Sequence, residues 1–94
     1  MKIYIVSKVV FTEINGNEYE SKVALKAFDS KEKGIAFICD RVKNDREEWG
    51  LIPVEDERFW SVNEISTLAE GALVGSFSSW CDTVCYAFEE VELV

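Results

Sequence analysis

The chain has 94 residues, of which 48% are hydrophobic, 13% aromatic and 30% charged, with 18 acidic and ten basic side chains and a net charge of −8. That length supports one core, so residues 1–94 are expected to form a single domain, and the apolar share excludes global disorder. All ten basic residues precede residue 59, leaving six acids and no base in residues 59–94, a balance that repels phosphate and excludes direct nucleic-acid binding.

The opening MKIYIVSKVVF is cut by Ser7 and Lys8 below the length of a signal-peptide core, and no stretch approaches the ~20 apolar residues of a membrane span. A cytoplasmic protein with three reduced cysteines is the expectation.

Residues 2–12, KIYIVSKVVFT, and 18–28, EYESKVALKAF, are β-branched and aromatic runs on either side of Asn15-Gly16-Asn17, the pattern of a β-hairpin. Ile3, Ile5, Val9 and Phe11 are the apolar odd positions of the first run; Tyr19, Val23, Leu25 and Ala27 are those of the second. A two-residue turn pairs odd with even positions and would put these sets on opposite faces. A three-residue Asn15-Gly16-Asn17 loop is therefore expected, with Val9 opposite Val23 and Ile5 opposite Ala27. Lys2, Tyr4, Lys8, Lys22 and Lys26 would then share the more polar face.

Asp29 and Glu32 have capping-box spacing, which predicts a helix over 30–44 with Asp29 as N-cap. Ile35, Ile38, Cys39 and Val42 recur at i, i+3, i+4 and i+7 and are expected to lie on the apolar hairpin face, with Lys31, Lys33, Arg41 and Lys43 outward. Residues 44–58 are polar and read as a fraying end and loop. Ser61 and Glu64 repeat the capping spacing, predicting a short helix over 62–70 with Val62, Ile65, Leu68 and Ala69 inward. A third strand is expected over 71–77, a turn over 78–82 and a last strand over 83–93. In that strand Val84, Tyr86 and Phe88 are out of phase with Val91 and Leu93, which a bulge near Glu89-Glu90 would reconcile. The order ββα(α)ββ gives an α+β fold with a mainly antiparallel sheet of about four strands.

KIYIVSKVVF, AFDSKEKGIAFI and YAFEEVEL together resemble small uncharacterised hairpin/helix/strand proteins of bacteria and their phages, over residues 1–43 and 84–93. The resemblance implies no catalytic residues, and it places individual function in the tryptophan-rich segment 44–80.

With no histidine and three cysteines, the chain lacks the base of a cysteine or serine triad and the usual four ligands of a structural zinc site. Cys81 and Cys85 in an extended segment would stand roughly 13 Å apart, too far for a disulfide, and Cys39 fits the helix core stripe. Neither a cofactor nor a metal is expected, and the chain is read as non-enzymatic. Trp49, Trp60 and Trp80, with Glu55, Asp56, Glu57, Asp82, Glu89 and Glu90, are the candidate partner-binding residues, because tryptophan with a charged rim is the chemistry of interaction hot spots. The expected function is an acidic protein-binding module, an inhibitor or adaptor of a basic, nucleic-acid-handling protein. Two alternatives are a small-molecule pocket between helix and sheet, lined by Tyr86, Phe88 and Trp60, and a DNA mimic. Pairing of an edge strand with its twin would give a homodimer.

Overall fold

A computed structural model describes residues 1–49, 59–79 and 81–93. The element order is β1 (Lys2–Ile14), β2 (Asn17–Phe28), α1 (Lys31–Trp49), α2 (Val62–Ile65), β3 (Val74–Ser79) and β4 (Asp82–Glu92). The four strands form one antiparallel sheet in the order β2-β1-β4-β3, so the expected α+β architecture is the observed one. No described helix is long and apolar enough to cross a membrane.

The hairpin loop has two residues, not three. Asn15 at φ 53° and Gly16 at φ 80° both occupy the left-handed region, and Ile14 closes the turn against Asn17. This is the type I′ geometry that Asn-Gly prefers, because its twist matches that of the strands. Val9 therefore stands opposite Lys22, and Val23 opposite Lys8. A register shift between Val6 and Ser7 leaves Leu25 as an extra residue in β2, and this bulge restores the expected pairing of Ile5 with Ala27.

The helix lies on the even face of β1, not the odd face. A Cβ at Gly34 would be 3.7 Å from Val6, 3.8 Å from Phe28 and 3.8 Å from Tyr4, so α1 approaches the sheet closely where Gly34 has no side chain. Val6, Val84, Tyr86, Phe88 and Val74 from the strands meet Ile38 and Val42 from α1, and Ile65 and Leu68 from the α2 region, in one buried cluster. Each such aliphatic side chain contributes roughly 1.5–3 kcal/mol when fully buried. Ile38 and Val42 are the centre of the predicted stripe, while Ile35 and Cys39 at its margin are half-buried.

The odd face is buried as well. Val9, Ser7, Cys85 and Ala87 are between 0% and 6% exposed, and the Phe59 ring lies where a Cβ on Gly75 would be, 2.8 Å away. Burial on both sides explains the mixed phase of β4: Val84, Tyr86 and Phe88 face the helix, whereas Val91 pairs with Ile3 on the other side. The β1–β4 ladder runs unbroken from Lys2↔Glu92 to Thr12↔Asp82, so no bulge occurs at Glu89-Glu90. The shift lies instead in β3, between Gly75 and Phe77.

Three boundaries also differ from expectation. Ser30, not Asp29, caps α1, its hydroxyl accepting from the Lys33 amide at 3.3 Å, while Asp29 pairs with Lys33 Nζ at 2.8 Å. The helix continues to Trp49, and α2 is a single turn ending at Ile65, which leaves Ala69 exposed. Its predicted cap is present: the Ser61 amide donates to Glu64 Oε2 at 3.0 Å.

Candidate functional site

The structure scatters the candidate residues of the C-terminal half. Trp60 is half-buried and packs against the core cluster, so it is part of the fold's support. Glu89 and Glu90 point to opposite faces of β4: Glu89 pairs with Lys22, and Glu90 pairs with Lys2 at 3.0 Å and accepts from the Tyr4 hydroxyl at 3.5 Å. The ion pair raises the Lys2 pKa, first through its hydrogen bond to Glu90. Asp82 begins β4 opposite Thr12 and is half-buried. Trp49 is the last residue of α1. Glu55, Asp56, Glu57 and Trp80 lie outside the described residues.

Tyr86 and Phe88, proposed as pocket walls, are 2% and 1% exposed and packed in the core. An open apolar groove of about 320 Å³ lies elsewhere, lined by Glu32, Ile35, Ala36, Cys39 and Ser66. Cys39, Cys81 and Cys85 form no disulfide and are half-buried, exposed and buried respectively. Among the described residues no cluster of cysteines and acids could hold a metal ion.

A polar network missed in the sequence ties the C-terminal part of α1 to β3 and β4. Asp45 Oδ2 accepts from the Tyr86 hydroxyl and from the Ser76 hydroxyl, each at 2.8 Å. Arg46 donates from Nη2 to the Gly75 carbonyl at 2.9 Å and from Nε to the Ser76 carbonyl at 3.3 Å, beside the β3 irregularity between Gly75 and Phe77. Burial, reinforced by the Asp45 carboxylate, pushes the Tyr86 pKa up to about 12, and burial lowers that of Arg46. Among the described residues no buried side-chain nitrogen or oxygen lacks a hydrogen-bond partner. The network fastens the fold.

The exposed chemistry lies on the hairpin. β2 is one of the two outer strands of the sheet, β3 being the other, and only Leu25 and Phe28 in it are even half-buried. The two-residue turn places Ile14, Tyr19 and Val23 on the helix side, beyond the region α1 covers, where they are 52%, 54% and 59% exposed. The opposite side of the same stretch holds Glu13 directly across from Glu18, with Glu20 next to them. Like charges held opposite each other on a sheet are destabilising.

The turn also fixes which backbone groups are free. In an antiparallel pair, hydrogen-bonded and non-hydrogen-bonded positions alternate. With Ile14↔Asn17 closing the turn, Asn17, Tyr19, Ser21 and Val23 direct their amides and carbonyls at β1. Glu18, Glu20 and Lys22 direct theirs to the outer edge. The sequence signal for this surface was the Asn15-Gly16 dipeptide itself.

No family model, curated protein or solved structure matches the chain.

Proposed function

We propose that this chain is a small, non-enzymatic protein-binding module that receives its partner along the outer strand of the hairpin. The observation that carries this reading is the exposure of Tyr19 and Val23, at 54% and 59%, on an outer strand of the sheet. Strand addition obtains affinity from such outward backbone groups and specificity from alternate side chains. An exposed aromatic beside a charged rim supplies the anchor. Glu13, Glu18 and Glu20 lie on the other side of the same stretch, so the partner strand presents basic side chains to that side.

A photoreactive phenylalanine analogue at position 19 tests the reading, with the same analogue at position 33 on the exposed side of α1 as control. Irradiation in source-cell lysate is expected to give a discrete protein adduct from position 19, absent from position 33 and lost when Val23→Asp is added. Equal patterns at both positions, or no adduct from position 19, would overturn it.

A further inference from the structure

The distribution of charge along β2 identifies the occupant of this edge. The strand reads NEYESKVALKAF, with both of its acids, Glu18 and Glu20, in the first part and both of its bases, Lys22 and Lys26, in the second. A strand polarised in this way repels a parallel copy of itself in register and complements an antiparallel one. We propose that two copies of this chain associate by antiparallel pairing of β2 with β2 about a two-fold axis through Ser21, giving a continuous eight-stranded sheet. The proposal rests on the reading of β2 as a docking strand and names its partner.

The register follows from three constraints. Directly opposed residues in an antiparallel pair point to the same face, so a symmetric arrangement can pair only residues of like parity along the regular stretch 17–24. Centring on Lys22 would put Lys22 against itself, and centring on Glu20 would put Glu20 against itself, each a like-charge pair. Centring on Ser21 instead puts Glu20 of each copy against Lys22 of the other on one face. On the other face it puts Tyr19 of each copy against Val23 of the other. The backbone agrees, because Glu18, Glu20 and Lys22 carry the outward amides and carbonyls, so Glu20 and Lys22 form the hydrogen-bonded pairs. Tyr19 and Val23 then fall in non-hydrogen-bonded pairs, where side chains approach most closely.

The same arrangement accounts for a feature the single chain leaves unexplained. Tyr19 and Val23, exposed in one copy, gain an apolar neighbour across the axis. Lys22, which already meets Glu89 of β4, would stand between that carboxylate and Glu20 of the second copy. The Leu25 bulge ends the regular edge just beyond Ala24, which limits the pairing to the charge-matched stretch. Both α1 helices lie on one face of the joined sheet.

Sedimentation equilibrium of the purified chain, at micromolar to millimolar concentration, is expected to show a reversible species of twice the 10.7 kDa chain mass. Glu20→Lys and Lys22→Glu should each weaken self-association about tenfold by creating two like-charge pairs. Circular dichroism on each variant checks that the fold is kept. Mixing the two single variants should restore the dimer as a heterodimer, because one then offers only cations and the other only anions at these positions. The Glu20/Lys22 charge-swapped double variant should also recover. Hydrogen exchange at the Glu20 and Lys22 amides should slow with concentration, while the Ser21 and Val23 amides, already directed at β1, change little.

A chain that stays monomeric throughout, or a dimer indifferent to these substitutions, would overturn the proposal. In either case, a Val23-dependent adduct from position 19 to another protein would leave the binding-module reading standing. Absence of any adduct would remove that too.

Discussion

The Tyr86 hydroxyl donates to Asp45 Oδ2 at 2.8 Å, and the same carboxylate oxygen accepts from Ser76 at 2.8 Å, so one side chain of α1 holds two strands. Tyr86 is 2% exposed and Ser76 is 0% exposed, so neither hydroxyl can turn to water if the acceptor is lost. Asp45→Ala is expected to destabilise the protein by about 2–4 kcal/mol, the cost of leaving two buried hydroxyls unsatisfied. Asp45→Asn, which keeps an acceptor, should cost less. Urea denaturation of the two variants beside the parent gives the comparison.

The same contact predicts an alkaline limb in stability. The Tyr86 pKa is raised to about 12 in the folded protein, against about 10 in an unfolded chain. Its contribution is fully present below pH 10 and is lost as pH rises from about 10 to about 12, because only the unfolded state releases the phenolic proton easily in that interval. The loss should be on the order of 1–3 kcal/mol. Urea midpoints measured at intervals from pH 9 to pH 12 should fall more steeply for the parent than for Tyr86→Phe, which has no proton to release.

Arg46 holds the β3 irregularity by donating to the Gly75 and Ser76 carbonyls. Arg46→Met keeps the stem and removes the donors, and is expected to cost about 1.5–3 kcal/mol. Lysine cannot reproduce the two-pronged donation of a guanidinium, so Arg46→Lys should recover only part of that loss. Hydrogen exchange of the β3 amides in both variants, read with their unfolding midpoints, separates local opening from global loss.

Gly75 has no room for a side chain, since a Cβ would lie 2.8 Å from the Phe59 ring. Gly75→Ala should destabilise by about 1–3 kcal/mol through overpacking. Phe59→Ala removes the obstacle at its own cost, and the double variant should be less unstable than the sum of the two singles. A double-mutant cycle on unfolding free energies measures that coupling; strict additivity would show that the ring does not press on Gly75.

Much of the fold was legible in order and type. β-Branched runs around Asn15-Gly16, the Ile38/Val42 stripe and the Ser61–Glu64 cap gave the elements because each is a local property of neighbouring residues. The face of the hairpin that the helix covers was not legible, since β1 is apolar on both sides: Val6 and Val10 on one, Ile5 and Val9 on the other. Choosing the odd face required a three-residue loop that the Asn15-Gly16 turn does not form. Matching Val9 to Val23 is a weaker constraint than local turn chemistry, which prevailed, and a bulge at Leu25 absorbed the mismatch.

That outcome also determines where exposed apolar chemistry lies. Charge and the lack of histidine are fixed by the sequence alone, because they do not depend on contacts. The tertiary structure decided that Trp60 supports the core, that Glu89 and Glu90 are paired with Lys22 and Lys2, and that Asp45 joins Tyr86 and Ser76 across 31 or more residues of chain. Most of all it decided that Tyr19 and Val23 stand outside the core. The reason is geometric: side chains alternate with a period of two along a strand, so one residue more or less in a turn exchanges an entire face between interior and solvent.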